Sequence, residues 1–536
     1  MKRKRKTMLI VMVSLLLLVA ACSKSNNSGD NSKVEGNDVK QKGTASPDAE
    51  KYPKSMTYWV SKASSTLTNN SEVAMYKEME KITGTKVEFQ HPPEGHDADQ
   101  FNLMMVSGKL PDVIFHTWSS SFPDKSISEG KILRLNELIE EHAPNLAKLF
   151  KERPYIKRDV MSADGNIFVF PLLGDDPRLT VFNGPMLRGD WLEKLNLQVP
   201  TTLDEWEKVL IAFRDGDPNG NQLKDEIPFH YNVGNMEYSF AFIGAFGITY
   251  SFFQDNGKVK FGPYEPQYKD FLTLMNKWYK DGLIDKDYMT VDAKLQDAKV
   301  TGNQLGSFTG WLGGNLGKYM NLMKDQDPKF KLVGAPFPTI EKDGKAVANH
   351  DPIFYGQGAA ITTSAKDPEK IAAWLDYAYG EEGHLLYNFG IEGESYTMVD
   401  GKPTFTDLIM KNPKGLTVGE ALSEYSVMGS FGPFEFDADG YSQYNTLVEQ
   451  KEAQAQWTKA DFSKLMPTIY MTAEEQARYS VIMTDLETYR VEMTNKFIIG
   501  AESLDKFDEY IATLKRMNIE EAIQIQQAAY DRSQAN

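Results

Sequence analysis

Between residues 56 and 115 the chain alternates between two apolar periods, and that alternation restricts the fold more than any other feature. Residues 56–60 (MTYWV) and 87–89 have the aromatic and β-branched content of strands. Between them, 70–82 carries Met75, Met79 and Ile82 on one helical face and stops at Gly84. A second helix over 99–106 leads through Gly108 and Pro111 into a strand over 112–115. Strand–helix–strand units close with right-handed crossovers into a parallel sheet, whose ligands meet the carboxyl ends of the strands. Ser61, Lys62, His116 and Trp118 are predicted at such ends. After a helix over 133–141 and a strand over 167–172, Gly174-Asp175-Asp176-Pro177 breaks the pattern, and a second run of the same kind starts at 179–183. There Thr202 and Glu205 form a capping box for a helix with Trp206, Leu210 and Phe213 on one face. Further strands are predicted over 332–338 and 359–362. Long helices follow from 472, marked by Ile482, Leu486, Tyr489, Met493 and Phe497. The reading is an α/β chain of two lobes that crosses between them more than once.

The amino terminus places this body. Lys2-Arg3-Lys4-Arg5-Lys6 precedes an apolar run over 8–21 that is shorter than the roughly 20 residues of a membrane-spanning helix, which is the pattern of a secretion signal over 1–21. Val19-Ala20-Ala21-Cys22 resembles the lipobox of bacterial lipoproteins, in which cleavage leaves Cys22 as the diacylglyceryl acceptor. That implies an anchor on the extracellular face of the cytoplasmic membrane. Residues 22–53 are rich in Ser, Asn, Gly, Asp and Lys, the composition of a flexible tether. With Cys22 the only cysteine, no intrachain disulfide can form, and packing or a metal must supply stability. The net charge of −16 argues against nucleic acid and anionic lipid as partners.

One loop has the chemistry of a cation site. Asp215-Gly-Asp217-Pro-Asn219-Gly-Asn221-Gln-Leu223-Lys-Asp225-Glu226 places oxygen side chains at alternate positions, as Ca²⁺ with its shell of oxygen ligands requires. Two registers compete, one starting at Asp215 with Gly220 sixth and Glu226 twelfth, the other starting at Asp217 and ending on Asp225 and Glu226. Five aromatics lie where a sugar ring could stack: Trp118, Tyr238, Trp311, Tyr355 and Tyr396. Trp191, Trp206, Trp278 and Trp374 have helical spacing instead and are read as core. No Gly-x-Ser-x-Gly elbow occurs, and GGNLGK at 313–318 lacks the spacing of a phosphate loop.

The segments SGKLPDVIF, LRGDWLEKLNLQVPTTLDEWEKVL, FTGWLGGNLGKYM and DYAYGEEGHLLYNFGIEGESYTMVDGKPTFTD resemble the extracellular solute-binding lipoproteins of carbohydrate ABC transporters, family 1. Within it the chain is most similar to the large branch of alginate-oligosaccharide binders. The resemblance implies a type II periplasmic-binding-protein-like clamp without catalysis, a monomer that captures an oligosaccharide and delivers it to a membrane permease. It also implies the second register of the loop, with structural Ca²⁺ held by Asp217, Asn219, Asn221, the Leu223 carbonyl, Asp225 and Glu226. Gln222 departs from that pattern, which has glycine there. Lobe 1 is expected over 54–173 and again over 338–390, lobe 2 over 174–337, and 391–536 mainly in lobe 2 and C-terminal helices. The rival readings are an oligopeptide receptor and a secreted carbohydrate-active enzyme.

Overall fold

Ser55–Trp59 (β1), Lys86–Gln90 (β2) and Val113–Thr117 (β3) pair in parallel in the computed structural model, which describes residues 50–118, 122–428 and 432–535. The leader, Cys22 and nearly all of the tether lie outside the described residues. The crossover helices Ala74–Thr83 and Asp97–Ser107 both end on a glycine at φ 70°, Gly84 and Gly108, where any Cβ would be strained. Phe170–Leu173 (β4) completes the first passage. The chain then forms Asn183–Arg188 (β5), the hairpin Phe252–Asp255 (β6) and Lys258–Phe261 (β7), Ser307–Trp311 (β8) and Leu332–Gly334 (β9). It returns as Phe354–Ile361 (β10) and adds a hairpin of Tyr396–Val399 (β11) and Lys402–Phe405 (β12). The first sheet runs β2-β1-β3-β10-β4, with β10 antiparallel to both neighbours.

The second sheet departs from the sequence reading. Its order is β8-β5-β9 and both of these pairs are antiparallel, while the parallel pairing expected in lobe 2 is confined to isolated bridges such as those of Ile227, Phe229 and His230 with Leu305, Ile284 and Phe308. The strand expected from 179 begins only at Asn183, because Pro177–Leu179 is a single helical turn capped by the Asp176 carboxylate.

Each sheet anchors its own core. One gathers Tyr58, Ile114, Phe170, Ile361 and Trp374, and the other gathers Met186, Trp206, Trp278, Phe308 and Phe497. A smaller third core holds Phe389, Tyr396, Phe405 and Leu422. Trp191, Trp206, Trp278 and Trp374 are at most 1% exposed, as their helical spacing predicted. The Thr202–Glu205 capping box forms as read, and another, Thr472 with Glu475, starts the helix Ala473–Ile499. Packing begins before the predicted end of the tether, since Tyr52 is 6% exposed and Pro53 is buried.

The connections between the cores lie side by side. Asp351 N–H donates to Thr180 O at 2.7 Å, Gly174 N–H to Ile353 O at 2.9 Å and Leu173 N–H to Phe434 O at 3.0 Å. Arg153 forks onto Glu435 and reaches Asp175 at 3.0 Å, while Arg178 joins Asp176 at 2.9 Å to Asp439 at 2.6 Å. At Gly174 an added Cβ would sit 2.3 Å from the Tyr355 hydroxyl, which donates to Leu179 O at 2.6 Å. Any side chain there would have to displace the Tyr355 ring.

Trp206→Ala is expected to cost ~3–5 kcal/mol of folding stability, the scale for deleting a fully buried indole. Urea denaturation reads this directly, and a loss below ~1 kcal/mol would show that the second core closes around the gap.

Candidate functional site

The carboxyl ends of β1, β2 and β3 open onto a cavity of about 350 Å³ lined by Ser61, Lys62, Glu94, Asp97, His116 and Thr117. Ser61 Oγ donates to Asp97 Oδ1 at 2.5 Å, which fixes the first turn of the helix Asp97–Ser107 against the strand end. The His116 ring stacks on Phe101 at 3.7 Å. Burial holds its pKa down at about 4 despite the opposing pull of Asp97, so this wall carries a neutral imidazole at physiological pH.

Trp118, predicted beside these residues, is not on the wall. It is 4% exposed, its indole N–H donates to Gly358 O at 3.1 Å, and its ring packs edge-on against Phe101 and Phe168. β3 and β10 stay paired past the end of β1, with Trp118 N–H donating to Gly356 O at 2.8 Å. The residue expected to emerge from the sheet is therefore still inside it. Tyr396 is buried as well, 4% exposed against Phe389 and opposite Phe405 in the hairpin. The long DYAYG…FTD segment builds its own small core there.

Trp311 and Tyr238 form a half-exposed aromatic pair in lobe 2, with ring centroids 4.7 Å apart and planes 42° to each other. Trp311 is the last residue of β8, and two asparagines hold it and the strand before it. Its Nε1 donates to Asn235 Oδ1 at 3.1 Å, its backbone N–H donates to Asn315 Oδ1 at 2.8 Å, and Asn235 Nδ2 donates to Thr309 O at 3.1 Å. A Cβ at Gly310 would meet Asn315 Oδ1 at 2.7 Å, so glycine is required for this clamp. Sequence reasoning found the two rings but not Asn235 and Asn315, whose only signals are the N-cap Asn232 three residues earlier and the glycines of GWLGGN. Tyr355, half-buried beside Phe436, lies on the crossing strands, where its hydroxyl donates to Leu179 O.

The acidic loop is folded onto itself by its own hydrogen bonds. Asp225 Oδ1 accepts from the amides of Asn219 at 3.2 Å and Asn221 at 2.9 Å, while Asp217 accepts from Gln222 N–H at 3.3 Å. Glu226 Oε1 is buried without a hydrogen-bond partner, and burial, Asp225 and Asp217 raise its pKa. An orphaned carboxylate oxygen among like charges is the condition a bound cation relieves, and the mix of carboxylates, amide oxygens and a carbonyl fits Ca²⁺. Asp215 is engaged elsewhere, paired with Arg214 at 2.8 and 2.7 Å, which favours the register starting at Asp217. Gln222 takes the left-handed φ of 61° that glycine would adopt freely. Among the described residues no three His, Cys, Asp or Glu side chains converge as a metal site, and Asp217, Asp225 and Glu226 are no exception.

His116 generates a pH dependence. Its native pKa lies below the ordinary histidine value, so between pH 6.5 and 4 the unfolded chain takes up a proton that the native fold refuses. Stability is expected to fall as pH drops through that window, and His116→Gln should flatten this part of the profile. An NMR titration placing His116 near pH 6.5 would contradict it.

Comparison with known proteins agrees with this geometry. Residues 63–384 match the family of bacterial extracellular solute-binding proteins. A fructooligosaccharide ABC transporter substrate-binding protein of Streptococcus pneumoniae, FusA, is 26% identical over 93% of this chain and 94% of its own. The lipoprotein LipO of Bacillus subtilis is 24% identical over 82% of this chain and 85% of its own. Two similar solved structures are the alginate-binding protein AlgQ2 without calcium ion and FusA in complex with kestose. AlgQ2 has a TM-score of 0.66 and 29% identity, covering 90% of this chain and 98% of that one. For FusA with kestose the values are 0.69 and 25%, covering 90% and 100%. From its two α/β lobes, the cavity at the strand ends of one and this family match, the chain belongs to the bacterial extracellular solute-binding proteins.

Proposed function

We propose that this protein captures an oligosaccharide between its two lobes and delivers it to the permease of an ABC transporter, without chemical conversion. The observation that carries the reading is the Trp311–Tyr238 pair. A half-exposed indole locked by asparagines, at the end of lobe 2 where the chain crosses between the cores, is an apolar platform with polar neighbours, the composition that recognises a pyranose or furanose ring. Relatives named for fructooligosaccharide and alginate binding support the ligand class. The lobe 1 cavity with Ser61, Glu94 and Asp97 would supply hydroxyl partners, and Tyr355 would border the ligand at the crossing strands. In this reading the lobes follow the two large cores, Cys22 carries the lipid anchor of a monomer, and LipO is a relative named as a lipoprotein. Structural Ca²⁺ would be held by Asp217, Asn219, Asn221, Leu223 O, Asp225 and Glu226, where it neutralises the converging carboxylates and pins the loop. A similar structure described as lacking calcium ion supports that choice of ion.

Trp311→Ala is expected to weaken oligosaccharide binding about ten- to a hundredfold, on the order of the 1–3 kcal/mol of a large buried apolar surface. Calorimetric titration measures it, with reducing-end assays on the same mixtures. Binding without product supports the receptor, whereas new reducing ends would replace it with a glycoside hydrolase. Calcium is expected to raise the melting temperature, by the equivalent of about 2.7 kcal/mol at a hundredfold excess over Kd, and Asp225→Ala should abolish the rise. A melting curve indifferent to both calcium and chelator would leave the loop as a turn only.

A further inference from the structure

Resting on the oligosaccharide reading above, we propose that the ligand is uncharged: the cleft selects neutral oligosaccharides over uronic ones, and Asn183 reads a hydroxyl of the sugar that stacks on Trp311.

A uronate carboxylate entering a partly desolvated cleft needs a cation to pair with, or it pays its full desolvation. The arginines around the crossing segments, and the one behind the Trp311–Tyr238 pair, are already engaged. Arg153 holds Glu435 and Asp175, Arg178 holds Asp176 and Asp439, and Arg490 holds Glu487 and Glu237, the residue before Tyr238. In the lobe 1 cavity Lys62 is the single cationic lining residue against Glu94 and Asp97, and His116 beside them is neutral. The balance of this surface repels a carboxylate, while its acids are acceptors for hydroxyl groups.

The uncharged side of the recognition is in lobe 2. Antiparallel register sets Asn183 directly across from Trp311, so the two side chains share one face of the sheet with Cβ atoms ~4.5–5.5 Å apart. Asn183 is 2% exposed, yet neither its Oδ1 nor its Nδ2 has a hydrogen-bond partner among the described residues. Buried amides left unpaired on both atoms are rare, and this one stands at the first residue of β5, where the crossing segment enters lobe 2. A sugar hydroxyl donates and accepts at once and can satisfy Oδ1 or Nδ2. A carboxylate only accepts, so it would leave Oδ1 opposed by negative charge.

Titration calorimetry on the chain from residue 23 onward decides the ligand class, with kestose and maltotriose against trigalacturonate and trimannuronate at low and high salt. A neutral trisaccharide is expected to bind at least tenfold tighter than either uronic one, with affinity changing less than twofold with salt. Tighter, salt-sensitive uronate binding would overturn the neutral class while leaving the oligosaccharide reading intact. Failure of all four sugars to bind would overturn both. Asn183→Leu should lose about tenfold in affinity for the neutral ligand while the melting temperature stays level or rises, because an unpaired amide has been removed from the core. Unchanged affinity in the folded variant would remove Asn183 from the site, whatever its melting temperature.

Discussion

The pairing of β10 with β3 is the contact on which the rest of the structure depends. Coming back from lobe 2, β10 inserts antiparallel between β3 and β4, with Ala359 opposite Phe115 and Phe170, and so closes a sheet that local crossovers alone could not complete. The same strand begins in the crossing segment, where Asp351 and Ile353 bond to Thr180 and Gly174. One run of backbone therefore sets the lobe 1 sheet, the connection between the cores and the distance from cavity to crossing. Its overrun past β1 also buries Trp118 and leaves His116 and Thr117 as the last residues of β3 on the cavity wall.

Asparagine does much of the positioning in lobe 2. Asn232 caps the helix Val233–Ser239, Asn235 on that helix fixes the Trp311 indole, and Asn315 fixes the Trp311 backbone. Carboxamides suit this task because each both donates and accepts without introducing charge beside the indole. The acidic loop uses the same chemistry, with Asn219 and Asn221 donating to Asp225. Amide oxygens and carboxylates, the donor types a hard cation takes, alternate along this one loop.

What the sequence by itself determined is local. Hydrophobic periods placed the first three strands and their helices within a few residues, because each buried face is written at fixed spacing within one element. Capping chemistry placed Thr202 and Glu205, helical spacing sent four tryptophans to the core, and alternating oxygens marked the loop from Asp217 to Glu226. Only the tertiary structure decided what depends on partners distant in the chain. β5 pairs antiparallel with strands from 307 and 332, so the named strands of lobe 2 are antiparallel and parallel pairing is left to isolated bridges, although its sequence reads like the parallel run before it. Trp118 and Trp311 both end a strand in a turn-rich context, yet one is sealed by β10 and the other is left open and clamped by Asn235. Exposure is set by where the neighbouring strand stops, and no residue near either tryptophan in sequence carries that information.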